Sequence, residues 1–294
     1  MRVFVTGASG WVGSALLPEL VEAGHHVVGL ARSDASAEAV RRAGAEPLRG
    51  SLEDTASLRV GAEKADAVIH LAFVHDFDRY DEANAFDRAA ITAMGEVLAG
   101  SDRALIITSG MTARADGLPA TEDDPPTPGL ARSEAATLTL ALADQGVRSA
   151  VVRLPPTVHG DGDQGFVKTL VDVARQRGVS AHVADGANVW PAVHRRDAAH
   201  LYRLVLDGAA AGSVWQAVAE EGVVTRRIAE VIGEQLDLPV ESIDPADAAE
   251  HFGFVGFIFG LDMPASSAIT RARLGWTPSG PGLLDDLAAG HYFV

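Results

Sequence analysis

Apolar residues recur through the first half of the chain as short unbroken runs, separated by longer stretches in helical register. Val3–Val5, Val27–Ala31, Pro47–Gly50, Ala67–Ala72, Ala104–Thr108 and Ala150–Leu154 read as strands, several of them apolar enough to be buried on both faces. Trp11–Ala23, Ala35–Ala43, Thr55–Glu63, Asp81–Ala99 and Leu130–Asp144 place apolar residues three and four apart and read as helices. This alternation predicts βαβ units and an α/β fold with a doubly wound parallel sheet, whose strand carboxyl ends share one ligand-binding side. Pro18 predicts a local kink in the first helix. After residue 160 the pattern changes. Helices at Phe166–Arg177, Ala198–Leu206 and Arg226–Leu236 alternate with short strands near Ala181–Val183 and Val214–Val218. The expected division is a dinucleotide-binding domain over 1–160 and a smaller α/β substrate domain over 161–294, with part of 190–220 returning to the main sheet.

The first strand runs into Thr6-Gly7-Ala8-Ser9-Gly10-Trp11-Val12-Gly13, a G-x-x-G-x-x-G turn that opens a helix. Gly7 allows the sharp turn, Gly10 lets a pyrophosphate approach the backbone, and Gly13 lets helix and strand pack closely; the helix N-terminus supplies N–H groups and positive dipole. Thr6, Gly7, Ser9, Gly10, Trp11, Val12 and Gly13 are therefore expected to hold a dinucleotide. The second strand ends in Arg32-Ser33-Asp34 rather than in an immediate carboxylate. An arginine fork beside a hydroxyl suits a 2′-phosphate, which favours NADP(H), with Asp34 capping the next helix. The competing reading of Arg32 is an ordinary surface arginine. Ser51 and Leu52 follow the third strand where the adenine would pass, and Leu71, Ala72 and Phe73 follow the fourth where the nicotinamide ribose would pass.

The 294 residues carry a formal charge of -16, which disfavours nucleic acid and anionic membranes as partners and points to a small-molecule substrate. Cysteine is absent, so thiolate chemistry and disulfides are excluded. No stretch reaches the about 20 apolar residues of a membrane span, and a strand starting at residue 2 leaves no room for a leader, so a cytoplasmic location is expected. Without His-x-x-x-His or H-E-x-x-H, no metal is expected.

Together these segments resemble the extended short-chain dehydrogenase/reductase superfamily, the NAD-dependent epimerase/dehydratase group, with its Rossmann-type sheet. Further matches are Val68-Ile69-His70-Leu71-Ala72, Ile106-Ile107-Thr108-Ser109, Val152 to Gly160, Val193 to Ala199, and Leu274-Gly275-Trp276-Thr277-Pro278. The resemblance implies an oxidoreductase, adds Ser109, Pro155, Pro156 and Thr157 to the cofactor site, and implies a homodimer through the helices Asp81–Ala99 and Leu130–Asp144, with small Ala131, Ala135 and Ala136 suited to close packing. It also implies a tyrosine with a lysine four residues on. Here Leu130 and Glu134 stand at those positions, and neither Lys64 nor Lys168 lies four residues after Tyr80, Tyr202 or Tyr292. The chain is thus expected to be an atypical member that keeps the cradle and lacks the standard acid.

Other groups must then handle the proton. Ser109 or Thr112 stands near the family's serine, and His75, His159 and His194 lie on loops expected to face the cleft; an imidazole exchanges protons near neutrality. Taken singly, each histidine reads first as a hydrogen-bonded structural residue. Arg132 reads either as a holder of ribose or substrate oxygen or as a solvated helix arginine. His70 reads as support for the fourth strand, and Asp197 as the N-cap of the helix Ala198–Leu206. Phe252 to Leu261 holds four phenylalanines and reads as a lid over the cleft or as a buried helix. These readings predict reduction of a small or moderately apolar carbonyl or imine by NADPH. The alternatives are a non-catalytic NADP(H) sensor and, less favoured, a sugar-nucleotide epimerase or dehydratase.

Overall fold

The computed structural model describes residues 1–74, 79–112, 114, 116–128 and 131–294. The first half alternates strand and helix: β1 (Arg2–Thr6), α1 (Gly13–Glu22), β2 (His26–Ala31), α2 (Asp34–Arg42), β3 (Glu46–Arg49), α3 (Thr55–Glu63), β4 (Ala67–His70), α4 (Tyr80–Leu98), β5 (Ala104–Gly110), α5 (Ala131–Ala141) and β6 (Arg148–Leu154). The second half continues with β7 (Thr157–His159), α6 (Phe166–Arg177), β8 (Ser180–Val183), β9 (Val189–His194), α7 (Arg195–Gly208), β10 (Ser213–Gln216), β11 (Glu220–Val224), α8 (Thr225–Leu236), β12 (Val240–Ile243), α9 (Ala248–Phe252), α10 (Phe254–Phe259), α11 (Ala268–Leu274) and α12 (Leu283–Ala288).

Seven parallel strands form the central sheet in the order β10-β6-β5-β4-β1-β2-β3. Strand order reverses beside β1, between β2 and β4, and the crevice at such a switch point is where open α/β sheets take ligands. Side-chain alternation divides β1 between two cores. Val3 and Val5 pack with Leu16, Leu20, Leu201 and Val205 of α1 and α7, whereas Phe4 packs with Leu58, Ile91 and Met94 of α3 and α4. All three are fully buried, which is why the strand reads as an unbroken apolar run. The expected return of the later chain to the main sheet is made by β10, which pairs with β6; β9 joins β7 and β11 in a separate three-stranded sheet, and β8 pairs with β12.

Helix α1 continues through Pro18, in keeping with a helix left intact around that residue. Several other local expectations change. Helix α7 starts at Arg195 with His194 as its cap, so Asp197 lies inside the first turn; its carboxylate instead accepts the backbone N–H groups of Ser279 (3.0 Å) and Gly280 (2.8 Å). Ser33, not Asp34, caps α2: its hydroxyl accepts the Ser36 N–H at 3.1 Å, and Ser36 reciprocates. Ala135 and Ala136 are buried inside the chain against Ile91 and Met94, so this alanine face is already occupied within one protomer. No helix among the described residues is long and apolar enough to cross a membrane.

Trp190 centres the apolar core beyond the main sheet, with Phe259 edge-on at 5.0 Å and Phe166 at 6.3 Å. Its indole N–H donates to the Ile258 carbonyl. Trp190→Ala is expected to lower unfolding free energy by about 3–5 kcal/mol, since removing a fully buried indole leaves a cavity and an orphaned carbonyl. Urea denaturation followed by circular dichroism checks this.

Candidate functional site

The turn after β1 has no room for side chains. Gly7 takes φ +66°, and a Cβ there would stand 2.6 Å from the Ala72 nitrogen, on the turn after β4. A Cβ on Gly13 would collide with the Gly7 carbonyl oxygen, so α1 can start only this close to the strand if the residue is glycine. The Gly10 N–H donates to the Gly7 carbonyl at 2.9 Å and closes the turn. Trp11 braces it from outside: its indole N–H donates to the Val158 carbonyl at 2.6 Å, and Arg195 stacks 4.2 Å from the ring while bonding Ser14 at 2.8 Å.

A cleft of about 1040 Å3 opens over this turn. Of the residues expected to bind cofactor, Gly7, Ser9, Gly10, Trp11, Val12, Gly13, Arg32, Ser33, Ser51, Leu52, Leu71, Ala72, Phe73, Ser109, Arg132, Pro155 and Pro156 all line it. Arg32 is exposed at one end, beside Ser33 and Ser36 at the N-terminus of α2. Asp34 does not line the cleft; it pairs with Arg49 at 3.4 Å. Glu53 is the carboxylate lining that end. The tight glycine cradle, the hydroxyls and the guanidinium fit a dinucleotide.

Arg132, on the first turn of α5, also lines the cleft. Its Nη1 donates to Asp87 Oδ2 at 3.2 Å, its Nη2 to the Thr108 carbonyl at 2.8 Å, and its guanidinium lies 4.2 Å from the Phe73 ring centre. It is therefore not a solvated helix arginine. Ser109 stands beside it, its hydroxyl donating to the Arg132 carbonyl at 3.2 Å. Asp87 is almost wholly buried and also meets His70 Nε2 at 3.1 Å. Asp87 belongs to no motif in the sequence. Its signal is a carboxylate on the buried face of α4 that also carries Ala83, Ala90, Ile91, Met94 and Leu98, where a charge must be paired.

Other expected residues do not line the cleft. Thr6 lies beneath it, fully buried. Thr112 is buried and donates to the Pro125 carbonyl, and Thr157 to the Pro191 carbonyl. His159 is fully buried with Nδ1 2.8 Å from Asp286, because β7 turns into the second sheet instead of ending at the cleft. Half-buried His194 accepts the Arg196 N–H as the cap of α7, and burial followed by the neighbouring His159 holds its pKa below the usual histidine value. His75 and Leu130 lie outside the described residues. Tyr202, buried against Thr108, has its pKa raised by burial and belongs to the core.

The far end of the cleft is apolar, lined by Phe166, Phe254, Ile258, Leu261 and Met263. The phenylalanine-rich segment is divided between core and cleft wall. Phe252 and Phe259 are buried in the core, while Phe254 and Ile258, four residues apart on α10, line the cleft. Asp163, between two glycines of the Gly160–Gly165 loop, also lines it; its carboxylate accepts from the Gly165 N–H at 2.7 Å and from the Tyr292 hydroxyl at 3.0 Å.

Residues 3–217 match the model of the NAD dependent epimerase/dehydratase family. An uncharacterized protein of Schizosaccharomyces pombe is 49% identical over 296 residues, covering 100% of both chains. A 4-hydroxy-2-methyl-3-oxo-4-farnesyl-3,4-dihydroquinoline-1-oxide ketoreductase of Stigmatella aurantiaca is 32% identical over 190 residues, covering 60% of this chain and 56% of that one. Among solved structures, UDP-glucose 4-epimerase of Thermus thermophilus in complex with NAD superposes with a TM-score of 0.75 at 20% identity, covering 99% of each chain; at that identity the likeness is one of fold.

Burial raises the Asp163 pKa above the ordinary carboxylate value, against the opposing pull of its two hydrogen bonds and of His159. The folded protein therefore holds this proton more tightly than the unfolded chain, and the carboxyl's contribution to stability falls as pH rises through that window. Asp163→Asn is expected to remove this slope: the difference in Tm between variant and wild type should move in the variant's favour from acid to neutral pH. A difference independent of pH would contradict the assignment.

Proposed function

The chain belongs to the NAD dependent epimerase/dehydratase family, and on that premise we propose that it is an NADPH-dependent reductase of a small or moderately apolar carbonyl or imine, working without the family's tyrosine and lysine. The observation that carries this reading is a single cleft lined by the glycine cradle, by an apolar wall, and by Arg132 and Ser109. In this reading Gly7, Ser9, Gly10, Trp11, Val12 and Gly13 hold the pyrophosphate. Arg32 and Ser33 hold the 2′-phosphate, with the α2 N-terminus adding positive dipole. Ser51 and Leu52 flank the adenine; Leu71, Ala72, Phe73, Pro155 and Pro156 flank the nicotinamide end. When bound, the nicotinamide supplies the hydride.

Arg132 and Ser109 take the substrate oxygen. The guanidinium stabilises the negative charge that develops there, and its fixed position avoids reorganisation during the reaction. An arginine stays protonated, so the proton comes from ordered cleft water; the Ser109 hydroxyl, whose hydrogen rests on the Arg132 carbonyl, reaches the substrate oxygen only by rotating off that bond. A guanidinium repels a protonated imine, which favours a neutral carbonyl within the proposed class. A nucleoside diphosphate sugar fits less well: Arg32 and Arg132 are the cations lining the cleft among the described residues, and neither stands at the apolar end. The partial match to a ketoreductase agrees with a carbonyl substrate. A second reading, an NADP(H) sensor without turnover, is favoured by the placement of His159 and His194 away from the cleft.

Fluorescence titration with NADPH and NADH, followed by NADPH oxidation against a panel of ketones, imines and quinones, separates the two readings. NADPH is expected to bind more tightly and to be oxidised by at least one apolar ketone; tight binding with no turnover across the panel supports the sensor. Arg32→Ala is expected to weaken NADPH roughly tenfold to a hundredfold and to leave NADH unchanged, the scale of a lost charge-assisted hydrogen bond. Equal weakening of both cofactors would refute the 2′-phosphate role.

A further inference from the structure

Three buried residues outside the cleft lead to Arg132. Thr6 Oγ1 lies 2.6 Å from His70 Nδ1, His70 Nε2 lies 3.1 Å from Asp87 Oδ1, and Asp87 Oδ2 accepts from Arg132 at 3.2 Å. The direction of each bond follows from its neighbours. An ionised carboxylate only accepts, so His70 carries a proton on Nε2 and donates it to Asp87. Nδ1 is then the acceptor for the Thr6 hydroxyl, whose oxygen in turn accepts the Ala72 N–H at 3.3 Å. The chain begins on the turn that would carry the pyrophosphate and ends on the guanidinium beside the substrate space.

Burial makes this arrangement hard to explain as packing alone. Thr6, His70 and Asp87 are all at most 2% exposed. Placing a carboxylate in that environment is unfavourable unless a cation and hydrogen bonds compensate, and an apolar residue at this register would fill the face of α4 without that cost. Both Asp87 oxygens are used, one on His70 and one on Arg132. Arg132 is fixed from three sides by Asp87, the Thr108 carbonyl and the Phe73 ring, yet its side chain keeps 20% exposure and lines the cleft. Two of its five N–H groups are used in this way, and the side chain carries the others to the cleft.

We infer that Thr6, His70 and Asp87 form a positioning relay that holds Arg132 in one rotamer with its remaining donors aimed at the carbonyl oxygen. This rests on the role proposed for Arg132 above. Asp87 is the arm that grips the guanidinium and sets the imidazole tautomer, His70 locks the carboxylate, and Thr6 holds the imidazole from its other side. None of the three touches the substrate.

The test is arginine side-chain NMR of the NADPH-bound protein, with kcat and KM measured on a ketone that the wild type reduces. Arg132→Lys identifies the Arg132 resonances. Wild type is expected to show separate, slowly exchanging Nη signals for Arg132. Asp87→Asn and His70→Gln should collapse them to an averaged signal and lower kcat roughly tenfold to a hundredfold, the scale of a misplaced oxyanion donor, with KM and NADPH affinity little changed. Should these variants not fold, Thr6→Val, which is close to isosteric, gives the same readout with a smaller effect. Unchanged Arg132 signals in the folded variants overturn the relay. So does a released guanidinium with unchanged kcat while Arg132→Lys is slow. If the guanidinium is released and Arg132→Lys still reduces the ketone at the wild-type rate, the relay stands and the role of Arg132 at the carbonyl fails.

Discussion

Contact between two turns, without room for a Cβ, governs the rest of this molecule. Gly7 on the turn after β1 meets the backbone of Leu71 and Ala72 on the turn after β4. The two strands are neighbours in the sheet, with Thr6 in register with His70. Their ends can approach this closely only because one partner is glycine in the left-handed region. The approach sets the floor of the cleft, puts the Thr6 hydroxyl on the His70 imidazole, and lets α1 begin directly above. A side chain at Gly7 would therefore disturb cradle and relay together, although neither contains the other's ligand-facing atoms.

The sheet and most helices were readable because burial on both faces of a parallel strand leaves an unmistakable apolar run, and because helices against such a sheet must be amphipathic. Helix α6 matches its expected range, Phe166–Arg177. The glycine cradle was readable for the same local reason: strand, turn and helix follow within a dozen residues. His159 and His194 stand away from the cleft because position after a strand does not fix which sheet the chain enters next. After β6 the chain leaves for β7, and register in the second sheet sets His159 beside His194 and away from the cleft. Asp87 was invisible for a different reason. Its partners lie 17 and 45 residues away in sequence, and only its place on a buried helical face marks it.

Two buried arginine sites show how the same side chain serves different ends. Arg153, 1% exposed, donates to the carbonyls of Thr121 and Asp124, and burial lowers its pKa. Both of these bonds go to backbone carbonyls and pin the proline-rich loop that follows β5; residues 121–128 of that loop do not line the cleft. Arg132 has a dedicated carboxylate beneath it and lines the cleft above. Held from below, its guanidinium presents a fixed hydrogen-bond geometry to the cleft, a setting suited to an uncharged oxygen that becomes negative during reaction.

The Gly160–Gly165 loop at the cleft is held by residues far along the chain. Gly160 donates to the Tyr292 hydroxyl across 132 positions, Tyr292 donates to Asp163, and His159 pairs with Asp286. During synthesis, the glycine cradle and the first five strands can assemble early from local contacts. The loop cannot lock until residue 292 has cleared the ribosome, and loop closure over so long a span is slow. A nascent chain thus acquires its dinucleotide cradle well before this wall of the cleft, and early cofactor capture would stabilise the half that is already folded.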